Sequence, residues 1–286
     1  MTHPHKDENM KKAVLTLGVI AAICSCTVKP VEPKISIFAQ HIETIAKQEN
    51  ISFAEAATRI REMGYGGVDV KENASEEQIR ILDSLGFAHA SAITYIYFTD
   101  GDKHDESLAS IAWLKSHRFD RPLLVPGYFQ EGFTEEDMAA VAGRIAAYAE
   151  LAAEEGILVM AEDFDHKASP CYNIERLSVL FDASDRLGHV MDTGNWFFAG
   201  DDCLEALDKF CGRTGHVHLK DRVSAEDMSC PPTGTGCMPV REVINRLVKS
   251  GYDGWFTVEQ FGSKNMLRDS ETSYANVRAM IEEAGK

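Results

Sequence analysis

Short apolar runs alternate along the chain with longer amphipathic ones. The short runs are KISIFAQ (Lys34–Gln40), GGVDVK (Gly66–Lys71), FAHASAIT (Phe87–Thr94), RPLLVPG ending at Pro126, ILVMAE (Ile157–Glu162), HVMD (His189–Asp192), GHVHLK (Gly215–Lys220) and WFTVE (Trp255–Glu259). Brief apolar runs of this kind, closed by turn residues, read as buried strands. Between them, apolar residues recur at helical spacing, and several stretches open on a capping signal. Ser52 with Glu55 starts a helix running to Met63, Ser75 with Gln78 one ending at Gly86, and Thr134 with Asp137 the stretch Glu135–Glu155. Further helices are expected over Glu106–His117, from Asn173 with Arg176 onward, and over Asp201–Phe210, Val240–Lys249 and Asp269–Ala284. Gly64, Gly86, Gly156, Gly188 and Gly251 precede strands and read as helix stops.

Eight strand–helix units in strict alternation predict an α/β fold, a parallel (β/α)8 TIM barrel forming a single domain over residues 34–286. An open doubly wound sheet would call for a glycine-rich phosphate turn after an early strand, and none follows the first.

One strand inverts the usual rule for a buried face. Alternate side chains share a face, so His216, His218 and Lys220 lie together while Val217 and Leu219 take the other side. Buried polar groups are costly unless bonded, so this face needs partners. Three other strands each end in one carboxylate, Glu162, Asp192 and Glu259. Barrels of this kind build their sites from strand C-termini. Three carboxylates and the imidazole of His218 form a hard, oxygen-rich set suited to one divalent ion, Mn2+, Zn2+, Co2+ or Mg2+, with open positions for substrate oxygens.

Other residues near these strand ends have two readings each. Lys220 holds a substrate oxygen or pairs with Asp221 or Glu259; Arg222 clamps a substrate group or is solvated. His166 is a proton shuttle or a loop residue; His216 lies deeper, as a hydrogen-bonded supporting residue. Asp69 and Lys71 end strand two, either as a buried ion pair or as functional groups. Tyr95, Tyr97, Phe98, Tyr128, Phe129 and Trp196 follow strand ends, either stacking on the rings of a bound molecule or forming a lid or subunit contact.

Composition narrows the partners. The chain has 286 residues, 44% of them hydrophobic, which is ample for a core. Its formal net charge is −16, the opposite of a nucleic-acid footprint. Met10–Lys11–Lys12 opens a basic segment before the apolar run Ala13–Ile23, too short to span a membrane and fitting a signal peptide, with residues 1–9 upstream of it. The run ends ICSC, and Cys26 is placed like the lipidated cysteine of bacterial lipoproteins; the alternative is an ordinary secretory signal with stray cysteines. Residues 1–33 are therefore expected to be signal peptide, lipobox and tether on an exported, periplasmic or outer-membrane-anchored protein. Of the remaining cysteines, Cys203 and Cys211 are too far apart on one helix to bridge. Cys230 and Cys237 flank a Pro/Gly loop, either paired or as free thiols.

From Gly66 to the C-terminus the chain resembles the xylose-isomerase-like TIM-barrel superfamily, the sugar phosphate isomerase/epimerase group. GGVDV, the strand-five Glu, DTG in strand six, HLKD in strand seven, GTG before the next helix and GYDGWFTVE match in order. The resemblance implies a divalent metal on Glu162, Asp192, His218 and Glu259, with Glu162 and Glu259 also acting as acid and base. It implies a sugar isomerase or epimerase working by proton abstraction through an enediolate on a sugar or keto-sugar. A lyase or dehydratase on the same site, or a non-catalytic sugar-binding lipoprotein, are the alternatives. Asn195 stands where many members carry a substrate-contacting His, and the extra His and Glu ligands of endonuclease members have no counterpart here. The expected partners are a small-molecule sugar, unphosphorylated if the protein is exported, and a second copy of the chain; a membrane enters only through the lipid anchor.

Overall fold

The structure, a computed structural model, describes Met1 and residues 33–286. The expected signal peptide, Cys26 and all of the expected tether but Pro33 lie outside the described residues. Among the described residues no helix is long and apolar enough to cross a membrane.

Eight strands, β1 Ile35–Phe38, β2 Gly67–Lys71, β3 Ala88–Tyr95, β4 Pro122–Val125, β5 Met160–Glu162, β6 Gly188–Asp192, β7 Thr214–Lys220 and β8 Phe256–Glu259, form a closed barrel in chain order. Every pair is parallel, and β8 closes on β1 through Ser36 opposite Thr257. The helices outside are α1 Ala39–Glu49, α2 Phe53–Met63, α3 Glu76–Ser84, α4 His104–Ser116, α5 Glu135–Glu154, α6 Ile174–Ala183, α7 Trp196–Ala199, α8 Cys203–Phe210, α9 Val240–Lys249 and α10 Met266–Ala284. This is the (β/α)8 barrel that the alternation predicts.

The local signals act as chemistry requires. Ser75–Gln78 and Thr134–Asp137 form complete capping boxes. Ser52 accepts from the Glu55 amide, but the Glu55 carboxylate turns to Arg59 at 2.7 Å. Helix α1 is missing from the sequence expectation because nothing announces it. The chain passes from β1 straight into it, and Phe38, at the cap position, has no side-chain hydrogen bond to give. The helix expected over Asp201–Phe210 begins at Cys203, where Asp202 caps the Leu204 and Glu205 amides, and a separate turn, α7, precedes it. Cys171, Cys203, Cys211, Cys230 and Cys237 are all free thiols, so Cys230 and Cys237 do not pair.

Two apolar clusters form the core. One fills the layer between sheet and helices; the other, Phe38, Ile93, Leu123, Val125, Met160 and Val190, fills one side of the barrel interior. The other side of the interior, from β7, β8, β1 and β2, is polar. There Ser36, Asp69, His216, His218 and Thr257 are buried and hydrogen-bonded together. The β6–β7 register shifts by one residue at Gly215. A Cβ there would lie 2.9 Å from Met160 Sδ, so glycine lets the bulge close over the interior.

His189 faces the outer layer against Phe181, Trp196 and Phe210, and burial there lowers its pKa from 6.5 to about 3. The unfolded chain therefore takes up a proton as pH falls below 6.5 while the folded one does not, and stability declines down to the folded value. Replacing His189 by Phe removes this term. Urea unfolding should show the loss between about pH 7 and about pH 5 reduced by about 2 kcal/mol in His189→Phe; identical pH slopes in the two proteins would refute the buried neutral imidazole.

Candidate metal centre

Strands β5 to β8 end at the same rim and bring together Glu162, Asp192, His218 and Glu259. One ligand atom from each lies within 4.8 Å of every other, and all four residues are buried. Asp192 is held by the turn that follows it: its Oδ1 accepts the amides of Gly194 and Asn195, both at 2.7 Å. A Cβ on Gly194 would lie 2.9 Å from the Lys220 carbonyl oxygen, which explains the glycine of DTG. The other oxygen, Oδ2, is buried and accepts no hydrogen bond among the described residues; the Lys220 ammonium lies 3.3 Å away. His218 directs Nδ1 at Glu162, with which it makes a very short contact, and lies 3.5 Å from Glu259 Oε2. Its Nε2 donates to Asp69 at 3.1 Å. Lys220 reaches Glu259 at 2.7 Å and Asn195 Oδ1 at 2.8 Å.

The charges shape one another. Burial pushes Glu259 up to about 7 despite the ammonium of Lys220. Burial alone would lower the His218 imidazole, but Glu162, Asp69 and Glu259 together hold it well above its ordinary value. Burial works against the Lys220 ammonium too, and Asp192, Glu259 and Glu162 hold it above the usual lysine range. Such a set fits a divalent cation. The donors are hard, three are carboxylates, and Asp192 Oδ2 is a buried acceptor lacking a hydrogen-bond donor.

The supporting residues take different places. Asn195 is buried; its amide donates to the Asp163 carbonyl, and its Oδ1 receives Lys220 and, at 3.5 Å, Arg222. Arg222 is turned back into its own loop, donating to the Met228 carbonyl at 2.7 Å and lying over Phe198. Trp196, expected at the substrate, packs instead in the outer layer near His189 and Phe210. His166 is exposed and meets Tyr128 edge-on at the rim. Asp69 and Lys71 do not pair: Asp69 lies deeper and bonds His216 and His218, while Lys71 lines the mouth. The mouth is a cavity of about 290 Å³ reached by Glu162, His218 and Glu259 and walled by Phe38, Tyr95, Tyr128, Phe164 and Phe261. A larger cavity, about 450 Å³, opens around Trp255 at the opposite end, where Arg118 is matched by Asp83 and Arg121 is tied to the Gly215 carbonyl.

Asp163 escaped sequence reading because an acidic residue after a strand end looks like a solvated loop group. It is fully buried, neither carboxyl oxygen has a partner among the described residues, and burial together with Asp192 and Glu162 pushes its pKa well up. The alternation rule offered the one signal: it follows an inward Glu162 and so faces the outer layer.

A family model described as xylose isomerase-like TIM barrel matches residues 57–284. The inosose dehydratase of Geobacillus thermodenitrificans is 30% identical over 145 residues, 44% of this chain and 48% of that protein. The chain thus spans about half the length of the curated relatives it matches. Among solved structures, an L-ribulose 3-epimerase superposes with a TM-score of 0.70 at 16% identity, covering 88% of this chain and 96% of that one. A sugar phosphate isomerase/epimerase from Parabacteroides distasonis gives 0.69 at 15%, covering 92% and 98%. At these identities the structural likeness shows the fold.

One divalent ion per chain is the expected stoichiometry. Mn2+ at about 100 times its Kd should stabilise metal-stripped protein by about 2.7 kcal/mol, and Asp192→Asn should lose most of that gain. A melting temperature indifferent to Mn2+, Zn2+, Co2+ and Mg2+, with no metal found by elemental analysis, would refute the centre.

Proposed function

The chain belongs to the xylose isomerase-like TIM barrel family, and on that footing we propose that it is a divalent-metal-dependent enzyme that isomerises or epimerises a sugar or keto-sugar. The reaction moves a proton at the carbon beside a carbonyl. The observation that carries the reading is the pair of buried glutamates, Glu162 on β5 and Glu259 on β8, both within reach of His218 and of each other.

Glu162, Asp192, His218 and Glu259 would hold the ion. When bound, it polarises a carbonyl oxygen and lowers the barrier to losing the neighbouring proton. The remaining steps belong to the side chains. One glutamate takes the carbon-bound proton and the other returns one, the role for which paired carboxylates are suited. Lys220 balances charge: three carboxylates against a divalent ion leave −3 + 2 = −1, which one ammonium offsets. Sitting against two of those carboxylates, it is also the donor at hand for the substrate oxygen that gains charge. Asn195 and Arg222 hold Lys220 and the loop above it. His166 stands at the rim, and the aromatic wall gives a sugar ring a face to stack on. A purely sugar-binding protein has no use for this complete acid–imidazole–ammonium set.

A second reading has its own support. The similarity to an inosose dehydratase favours the same proton abstraction followed by loss of a β-hydroxyl, the second carboxyl group protonating the departing oxygen so that water leaves. The proposal includes export and lipidation at Cys26, with an unphosphorylated substrate; Cys26→Ser should release the protein from membranes without unfolding it.

Glu162→Gln and Glu259→Gln, each compared at saturating metal, should lose turnover on a sugar panel by about 10²-fold or more. Turnover in D2O should place deuterium on the carbon beside the carbonyl, at low conversion or after long incubation. Metal-replete variants with full activity would remove the glutamates from the mechanism. A product with a new double bond and one water fewer would select the dehydratase reading.

A further inference from the structure

We infer that Asp69, on a strand that carries none of the candidate ligands, is a positioning residue for the metal centre, fixing the His218 ring so that Nδ1 faces the cation. The inference rests on the metal reading given above.

Asp69 is fully buried on β2, facing the barrel interior. Its Oδ2 receives His216 Nε2 at 2.7 Å and His218 Nε2 at 3.1 Å. Its Oδ1 receives the Thr257 hydroxyl at 3.0 Å, and that hydroxyl in turn meets Ser36. The two imidazoles stand at 88° to each other with centroids 5.1 Å apart, so they approach a single oxygen from perpendicular planes.

Imidazole has two distinct nitrogens, and the bond made by one decides what the other can do. With Nε2–H committed to Asp69, Nδ1 is the nitrogen directed at Glu162 and Glu259, and it is the one whose lone pair becomes available to a cation once its proton is given up. A flipped ring would turn Nε2 toward the carboxylates and leave Asp69 short of a donor, which burial makes costly. Metal-bound histidines are commonly held through the second nitrogen in this way. Asp69, His216 and His218 also lie close enough together to suggest a second ion site. Direct hydrogen bonds of 2.7 and 3.1 Å between them leave no room for one.

A merely structural Asp69 would satisfy His216 and stabilise the barrel without altering metal affinity. The two roles therefore separate on Mn2+ binding, measured by the electron paramagnetic resonance of free Mn2+. Asp69→Asn keeps the shape and places an amide where the carboxylate stood; Asp69→Ser removes the acceptor at His218 and provides an alternative should the first not fold. Ser36→Ala cuts the same buried chain two links from His218 and serves as the control. Circular dichroism and thermal melts establish folding for each. The expected result is Mn2+ affinity weakened by about 10–100-fold in the folded Asp69 variants and left within about 2-fold in Ser36→Ala. Wild-type affinity in a folded Asp69 variant overturns the inference while the metal reading stands. So does an equal loss in Ser36→Ala, which marks general loosening of the core. A wild-type protein that binds no Mn2+, Zn2+, Co2+ or Mg2+ removes the metal reading and this inference together.

Discussion

Three carboxylates, an imidazole and an ammonium lie out of water within reach of one another at one end of the barrel. None could be there alone, because an unpaired buried charge is strongly destabilising. Each makes the burial of the next tolerable: Lys220 sits between Asp192 and Glu259, and His218 between Glu162 and Glu259. The members come from four strands, so their mutual compensation is available only when the barrel closes in register. The site is thus complete only in the closed barrel.

That constraint divides the interior. Strands β3 to β6 fill their side with Ile93, Leu123, Val125, Met160 and Val190, an ordinary apolar packing. Strands β7, β8, β1 and β2 give up that packing for a hydrogen-bonded column, Ser36, Thr257, Asp69, His216 and His218, leading up to the acids. A column of this kind is sound only if nearly every group is satisfied. It largely is, with His216 Nδ1 the exception among these atoms. The mouth inherits the division: acids and Lys71 border it with the aromatic rings of Phe38, Tyr95 and Phe261. A molecule with hydroxyls on its edges and C–H groups on its faces matches such walls.

Much of this was legible in sequence because strand alternation is rigid. Once β7 was read as a strand, His216, His218 and Lys220 had to share the inner face, and three carboxylates at other strand ends had to share its rim. What stayed hidden depended on depth and on partners across the barrel. Asp69 and Lys71 are two residues apart on one face, which suggested a pair. Depth separates them, and Asp69 meets histidines that are remote in sequence. Trp196 follows a strand end as a stacking residue would, yet the turn after Asp192 carries it outward into the layer beneath α8. Helix α1 lacked an N-cap side chain to announce its start, and alternation alone pointed Asp163 outward, since its burial depends on the layer packed over it.

The loop after β7 shows how neighbouring motifs act as one unit. Asp221, next to Lys220 but on the opposite face, accepts the amides of Gly234, Gly236 and Met238. A Cβ on Gly236 would lie 2.2 Å from the Arg222 carbonyl oxygen, so HLKD and GTG fit only each other. The fold of the loop turns Arg222 inward to the Met228 carbonyl and toward Asn195, which itself holds Lys220. The arginine thus bears on the lysine through their shared partner, Asn195 Oδ1. Many barrels hold a substrate phosphate with backbone amides of the loops after strands seven and eight. Here amides of the first of these loops, those of Gly234, Gly236 and Met238, are already taken by a carboxylate of the chain itself.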